Sequence, residues 1–376
     1  MKKIILNASP LLETTGGAIQ VFESFIKNQK EYLDLIFIGK FEYLSKIMVD
    51  ENLKSKSNFG GFEPVSIKSI VLIPFSIVIG LYSLIINFQS YYRSDVVIQF
   101  TSFSEVFFVY PWLKILGKKI ILYNHSNRVP KIFTFTPIGF ILKLIIGKSP
   151  VVFVSNSQKE FWNQSNMAFK NPIVIHNCVP INDSIQILES KNDVLIKIGF
   201  VGRIHNEKRL NILIQALHKV NNNRSIRLSI AGIGDEAENI KKLINSLEFN
   251  QNIEFEWLGQ IQNMGEFYST KDLLVFPSSR EGFSMVMLEA WSYGLPVLTS
   301  DIPSFREIKE YCNFNEKKLI FKLDDINDLK LKLDFFIENI IEFRSLNHKL
   351  ELRRIINANF EEKIGASKFR NLINLQ

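Results

Sequence analysis

The feature that most constrains this chain is an alternation of short apolar runs with helical patterns, present before residue 178 and again after it. Short runs rich in Val, Ile, Leu and Phe are typical of strands buried on both faces of a parallel sheet. Parallel strands need crossover connections, so the pattern predicts two α/β domains. The predicted strands are Lys3–Asn7, Leu33–Gly39, Asp95–Phe100, Lys119–Tyr123, Val151–Ser155 and Pro172–Ile175, then Ile196–Val201, Ser225–Ala231, Ile253–Leu258 and Leu273–Phe276.

The length and the cysteines limit the class of protein. At 376 residues the chain exceeds what one core usually serves, and two domains are expected. We expect a first domain of residues 1–178, to which a helix of residues 360–376 returns, and a second domain of residues 179–359. Cys178 and Cys312 lie far apart, and the start of the chain runs directly into a strand pattern without a signal peptide. These features predict a reducing, cytoplasmic compartment and no metal site built from cysteine.

Positive charge is concentrated in the first half. The formal net charge is +7, and residues 1–190 contain 19 Lys and Arg against 13 Asp and Glu. Between residues 106 and 182 nine basic residues face a single acid, Glu160. The basic residues are interleaved with aliphatic runs rather than arrayed on a polar helix, which favours an anionic membrane surface over nucleic acid as the partner. An ordinary solvated basic face is the alternative.

One uncharged segment, Ser69–Tyr92, extends for 24 residues and is long enough to suggest a transmembrane helix. Pro74 and Gly80 interrupt it, and the strand pattern Asp95–Phe100 follows at once. A crossover helix beneath a sheet, or a helix resting on a bilayer together with Val129–Lys148, therefore explains the segment better than a membrane span.

The stretch Pro277–Ser300 has the pattern of a ligand site. A polar turn, Pro277–Gly282, separates a short strand from a predicted helix, Phe283–Tyr293, which places Glu281 before the helix and Glu289 inside it. The first amides of a helix lack intrahelical partners and bind anions. Carboxylates suit the paired hydroxyls of a ribose or sugar, so the combination suggests a nucleotide sugar. Either acid alone could instead be a helix-end or surface carboxylate.

Four other candidate residues follow predicted strands. Gly17 belongs to a Gly-rich turn after the first strand, but the full dinucleotide-binding fingerprint is absent. His125 follows Lys119–Tyr123, at the end of a strand where active sites of parallel sheets cluster, although a structural histidine is an alternative. Gly232 and Gly234 indicate a turn that shapes a base pocket rather than a phosphate loop, because no Lys-Ser or Lys-Thr follows.

With these motifs the sequence resembles the retaining glycosyltransferases of family 4, within the glycosyl transferases of group 1. The most specific match is Glu281-Gly-Phe-Ser-Met-Val-Met-Leu-Glu289, followed by Asp301-Ile-Pro-Ser-Phe-Arg-Glu-Ile308. Supporting matches are Phe200-Val-Gly-Arg203 with Glu207-Lys-Arg209, Ile230-Ala-Gly-Ile-Gly234, and the pair Gly16-Gly17. The resemblance implies an α/β GT-B fold, in which two Rossmann-like domains face each other across a cleft and a C-terminal helix returns to the first domain.

The resemblance also implies roles for individual residues. Arg203 and Lys208 would hold the donor diphosphate, Glu289 the ribose and Glu281 the donor sugar, while His125 would lie on the acceptor side. The implied catalytic set is Glu281, His125, Arg203 and Lys208. The implied donor-binding set is Gly17, Gly202, Arg203, Lys208, Gly234, Glu281, Gly282, Phe283, Ser284, Met285 and Glu289.

The implied activity is transfer of a sugar from a nucleotide diphospho-sugar to a hydroxyl acceptor, with retention of configuration and without a metal or other cofactor. The expected acceptor is a lipid-linked or cell-envelope polysaccharide intermediate, handled in the cytoplasm or on the inner face of the membrane. A glycoside hydrolase, which also uses two carboxylates, and a non-catalytic nucleotide-sugar-binding partner remain alternatives. The chain departs from the family at Cys178 and Pro180, where Gly and Asp are usual, which affects only the linker.

Overall fold

The computed structural model divides into two compact units, which are described separately. Unit 1 consists of residues 1–177 and 362–376, and unit 2 of residues 178–361. The residues that the structure describes are 2–8, 33–39, 54–57, 85, 88–101, 106–124, 140, 141, 144, 146, 147, 149–164, 169–181, 194–220, 224–249, 252–312 and 314–375.

Unit 1 is built on a seven-stranded parallel sheet with the order β3-β2-β1-β4-β5-β6-β7. The order reverses between β1 and β4, so the sheet is doubly wound. Its central strands are buried on both faces, as their continuous apolar runs predict. The strands are β1 Lys2–Ala8, β2 Leu33–Gly39, β3 Lys54–Ser57, β4 Val96–Thr101, β5 Lys119–Asn124, β6 Val151–Phe153 and β7 Pro172–Val174.

Helices connect the strands of unit 1. They include α1 (Phe88–Arg93), α2 (Val106–Ile115) and α3 (Asn156–Gln164). The connections that enter β4, β5, β6 and β7 all progress in one direction along the sheet, so right-handed crossovers put their helices on one face. The C-terminal helix belongs to this unit, because the ring of Phe369 packs 5.4 Å from that of Tyr123 on β5.

Unit 2 repeats the doubly wound plan with a six-stranded parallel sheet in the order β10-β9-β8-β11-β12-β13. Its strands are β8 Ile196–Val201, β9 Ile226–Ala231, β10 Ile253–Gly259, β11 Leu273–Phe276, β12 Val297–Ser300 and β13 Ile320–Phe321. Its helices are α4 Leu210–Lys219, α5 Ala237–Ser246, α6 Met264–Thr270, α7 Met285–Ser292, α8 Pro303–Lys309, α9 Phe314–Lys318, α10 Ile326–Glu338, α11 Ile340–Arg344 and α12 Leu346–Asn359, with α13 Glu362–Leu375 following in unit 1. The predicted α/β class with two Rossmann-like domains is confirmed.

One sequence expectation needs correction. The helix predicted over Phe283–Tyr293 begins at Met285 and ends at Ser292, because Ser284 is its N-cap and Gly294 follows in the left-handed conformation, with φ at 70°. Helix α12 begins after Ser345, whose hydroxyl accepts a hydrogen bond from the backbone N–H of His348.

Three expectations fall largely or wholly beyond the described residues. Gly17 and His125 lie outside them, and of Ser69–Tyr92 only residues 85 and 88–92 are described. In the described part of the chain, no helix has both the length and the hydropathy needed to cross a membrane.

A buried cluster of charged residues, Glu316, Lys309 and His348, holds α7 in place. Glu316 is fully buried, and its Oε1 accepts hydrogen bonds from the Val297 backbone N–H at 3.0 Å and the Trp291 indole N–H at 3.3 Å. Lys309 Nζ lies 3.3 Å from the same oxygen, and His348 Nε2 lies 3.5 Å from the other. Burial alone would raise the pKa of Glu316, but the nearby Lys309 and His348 outweigh it and hold that pKa below its ordinary value. The cluster fixes helix α7 to strand β12.

We expect Lys309→Met to lower the free energy of unfolding by about 3–5 kcal/mol near neutral pH, because Glu316 would remain buried without its cation. In wild type the pKa of Glu316 is depressed, so its contribution persists above the ordinary carboxyl pKa and is lost as pH falls through the depressed pKa. In the variant burial dominates and raises that pKa, so lowering the pH from about 7 to about 5 should protonate Glu316 and shrink the difference.

Urea unfolding at several pH values measures this difference. The matched control is Lys317→Met, which removes an exposed lysine next to the cluster. An equal, pH-independent loss in both variants would contradict the role of the cluster.

Candidate functional site

The carboxyl edge of the sheet in unit 2 contains the predicted donor-site residues. Strands β8 and β11 are neighbours, and the strand order reverses between them. The loops after these two strands therefore lead away in opposite directions and open a crevice, which is where ligands bind in such sheets. The two loops are residues 202–205 and 277–284.

Two glycines hold the loop after β9 against the loop after β8. A Cβ atom on Gly232 would lie 1.9 Å from the carbonyl oxygen of Gly202, and one on Gly234 would lie 2.1 Å from that of Ile204. The backbone N–H of Ile204 donates to the carbonyl of Ile233 at 2.9 Å. Backbone packs on backbone here, so only glycine fits at either position.

The 3-10 helix Asn206–Lys208 is tied to the loop after β11. The backbone N–H of Ser279 donates to the carbonyl of Glu207 at 2.8 Å, and its hydroxyl donates to the same oxygen at 3.1 Å. The guanidinium of Arg280 donates to the carboxylate of Glu207 at 2.8 Å. These contacts place Lys208, which follows Glu207, beside Glu281, which follows Arg280.

As a result Lys208 and Glu281 form an ion pair. Lys208 Nζ donates to Glu281 Oε1 at 2.5 Å, with side-chain exposures of 26% and 16%. An ammonium group has three donors, so Lys208 can bind a phosphate oxygen while it remains near the carboxylate. The ammonium group of Lys208 is therefore already positioned by Glu281 and can bind an anionic ligand.

Arg203 lies in the loop directly after β8, and its side chain is exposed. Gly202, which precedes it, has φ at 144°, and the methylene carbons of Lys208 lie 3.7 and 3.9 Å from the position of a Cβ on Gly202. The structure thus brings Gly202 and Lys208 together and puts Arg203 at the same edge of the sheet.

The N-terminus of α7 follows Glu281 after three residues. Ser284 caps the helix, because its hydroxyl accepts from the backbone N–H of Met287 at 3.3 Å. The side chains of Phe283 and Met285 are buried, and the ring of Phe283 packs 5.7 Å from that of Phe360. This packing fixes the orientation of the first turn of α7. The backbone N–H groups at the start of the helix can then bind an anion.

Glu289 lies one turn into α7 and is held by a buried tyrosine. The hydroxyl of Tyr268, on α6, donates to Glu289 Oε2 at 2.6 Å. Burial and the adjacent carboxylate raise the pKa of Tyr268 well above its ordinary value, so the phenol remains a donor. Burial raises the pKa of Tyr293, and the nearby charge of Glu289 raises it further. Gly265 leaves space for the Tyr293 hydroxyl, which a Cβ there would meet at 2.4 Å.

Sequence reasoning missed Glu207 and Tyr268. Glu207 belongs to the motif Glu207-Lys-Arg209, but the motif does not show that its carbonyl and carboxylate join two loops separated by about seventy positions. Tyr268 belongs to an ordinary amphipathic helix and has no motif spacing to Glu289. Only the tertiary structure reveals either contact.

Among the residues that the structure describes, no group of three or more His, Cys, Asp or Glu side chains could hold a metal ion.

The fold defines a class of protein, that of chains with two Rossmann-like domains of the GT-B type. Anabaena HepE, solved in complex with UDP-glucose, superposes with a TM-score of 0.75 over 100% of both chains at 15% identity. Structural similarity at 15% sequence identity is evidence for the fold alone.

The family follows from the sequence of the second unit. The family model "Glycosyl transferases group 1" matches residues 167–353, about half of the chain, and this range contains every predicted donor-site residue of unit 2. The chain belongs to this family, as the motif around Glu281 and Glu289 predicted.

Curated relatives agree with the family. The O-antigen biosynthesis glycosyltransferase WclY of Escherichia coli is 27% identical over 225 residues, which is 58% of this chain and 58% of WclY. WbnH of Escherichia coli, another O-antigen biosynthesis glycosyltransferase, is 32% identical over 214 residues, or 55% of this chain and 57% of WbnH. The match thus spans less than two thirds of the length of either relative.

Proposed function

We propose that the chain transfers a sugar from a nucleotide diphospho-sugar to a hydroxyl acceptor, with retention of the anomeric configuration and without a metal. The observation that carries the proposal is the contact of Lys208 with Glu281 at the N-terminus of α7. A cation, helix amides and a carboxylate meet within one loop, and Glu289 lies one turn further on. This combination matches a diphosphate flanked by a sugar and a ribose.

In the proposed reaction the bond from the anomeric carbon to the diphosphate oxygen breaks, and its electron pair leaves with the diphosphate. The acceptor oxygen bonds to the same carbon on the same face, and its proton passes to the departing diphosphate. Charge therefore accumulates on the diphosphate, where Lys208, Arg203 and the amides of α7 stabilise it most in the transition state. Glu281 orients the donor sugar through its hydroxyls, and Glu289 binds the ribose.

We infer that the acceptor is a lipid-linked or cell-envelope polysaccharide intermediate. Relatives that are O-antigen biosynthesis glycosyltransferases support this inference, as does the basic, apolar composition of the first half of the chain. Such an acceptor is handled in the cytoplasm, at the inner face of the membrane. His125 and Gly17 remain predicted contributors on the acceptor side and at the diphosphate, respectively.

A thermal-shift panel of UDP, GDP, ADP, CMP and TDP, followed by their sugars, tests the donor class. UDP comes first, since HepE was solved with UDP-glucose. We expect one diphosphate to raise Tm by roughly 5 °C or more at about a hundredfold excess over Kd. No shift with any nucleotide would overturn the proposal, and a shift without turnover on any acceptor would indicate a non-catalytic nucleotide-sugar-binding protein.

The role of Arg203 has a matched control in the same unit. We expect Arg203→Ala to lower transfer by about 10²–10³-fold, because a preorganised charge at the leaving group is lost. Arg227→Ala removes a partly exposed arginine near the amino end of β9, where it pairs with Glu254, and should leave transfer unchanged. Wild-type transfer by Arg203→Ala would exclude the diphosphate role.

Tyr268 should position Glu289 for the ribose. We expect Tyr268→Phe to raise the donor KM by about three- to tenfold with little change in kcat, and to reduce the preference for a ribose over a 2′-deoxyribose donor, because a hydrogen bond to a charged group is lost. Tyr293→Phe is the control, since Tyr293 lies near Glu289 but no hydrogen bond joins their side chains in the structure. Steady-state kinetics with both donors measure the effect, and an unchanged ribose preference in Tyr268→Phe would contradict the role.

A further inference from the structure

Large apolar side chains are exposed on α1 and just before it in unit 1. Phe88 and Tyr92 are 46% and 66% exposed, and their spacing of four residues places them on one face of α1. Ile85, which precedes α1, is 68% exposed. The rings of Phe88 and Tyr92 stack with centroids 5.9 Å apart. A single exposed apolar residue needs no explanation, but an aligned aromatic pair does.

Lys118, just after α2, contacts the exposed end of α1. Lys118 Nζ donates to the carbonyl oxygens of Tyr92 at 2.6 Å and Ser94 at 3.1 Å, and lies 5.5 Å from the centre of the Tyr92 ring. Ile115, three residues earlier, is 75% exposed. The aromatic pair and the end of α2 therefore form one surface with a cation fixed at the tyrosine.

Contacts also join α2 to the residues just before β6. The hydroxyl of Tyr110, on α2, donates to the carbonyl of Ile146 at 2.7 Å, and Lys114 Nζ lies 3.2 Å from the position of a Cβ on Gly147. These contacts place Ile146 and Gly147 against α2. Earlier in the same segment the side chains of Phe140, Ile141 and Leu144 are exposed.

Positive charge dominates this surface. Within residues 88–101 and 106–124 the cations are Arg93, Lys114, Lys118 and Lys119, and the single acid among these described residues is Asp95. Aromatic side chains interleaved with lysines are the composition of proteins at a bilayer interface, where rings lie at headgroup level and lysines bind anionic lipids. A nucleic-acid site would instead arrange its cations along a polar groove.

We propose that this surface, the basic apolar face of unit 1, docks on an anionic lipid bilayer. The apolar side chains enter the headgroup region, and the lysines bind lipid phosphates. The proposal rests on the proposed function, since docking would bring a lipid-linked acceptor to the enzyme. Its test requires no turnover, so its failure is distinguishable from failure of the donor site.

The test is sedimentation of the full chain with vesicles of phosphatidylcholine alone or of equal parts phosphatidylcholine and phosphatidylglycerol. Wild type should bind the anionic vesicles and dissociate as salt rises, because ionic strength screens the lysines. Phe88→Ser/Tyr92→Ser and Lys114→Glu/Lys119→Glu should each reduce the partition coefficient about tenfold or more. Lys118 is left in place because it also binds backbone oxygens.

Matched controls lie on unit 2. Ile341→Ser replaces an apolar residue that is 72% exposed, and Lys242→Glu reverses an exposed lysine on α5. Both should bind the vesicles as wild type does. A retained nucleotide thermal shift in the unit 1 variants would show that unit 2 is still folded.

Three results would overturn the proposal. One is equal vesicle binding by wild type and by both unit 1 double variants, and another is no binding of wild type to anionic vesicles. The third is self-association of wild type without lipid that Phe88→Ser/Tyr92→Ser abolishes, which would assign the face to a second copy of the chain. Salt-sensitive binding that is lost only in the unit 1 variants would support the bilayer.

Discussion

The packing of two glycines on two carbonyl groups is the constraint on which the donor site depends. Gly232 and Gly234 let the loop after β9 rest on the loop after β8, closer than any side chain would allow. The loop after β8 leads into the 3-10 helix that contains Glu207, and the carbonyl of Glu207 accepts a hydrogen bond from the backbone N–H of Ser279. The tether sets Lys208 opposite Glu281. A methyl group at either glycine would shift the first contact and, through it, every later one.

Helix α7 is held from two sides, which explains how it can present Glu289. Behind it, the buried Glu316 binds both the indole of Trp291 and the backbone of β12. Beside it, Tyr268 holds the carboxylate of Glu289 itself. A buried charge is expensive unless its partners satisfy it, and here Lys309 and two donors do so. The hydrogen bonds that Glu316 accepts from Trp291 and Val297 thus keep helix α7 in one position against β12.

The alternation of apolar runs and helical patterns was sufficient to predict two doubly wound sheets, because strands buried on both faces leave a clear apolar signature. The motif around Glu281 and Glu289 was sufficient to predict the family. Sequence could not predict the tether from Glu207 to Ser279, since hydrogen bonds between distant loops leave no periodic signal. The start of α7 was misplaced by two residues because Ser284 is used as a cap, and its neighbours Phe283 and Met285 are both apolar.

The central claim is that Lys208 is shared between Glu281 and the donor diphosphate. Calorimetric titration of the nucleotide diphosphate selected by the panel into Lys208→Met and Glu281→Gln tests it most directly, with transfer assayed in parallel. The account predicts that Lys208→Met weakens binding by about tenfold or more. Glu281→Gln should bind the diphosphate at least as tightly as wild type, because a competing carboxylate is removed, yet lose transfer. Equal weakening of binding by both substitutions, or by neither, would contradict the account.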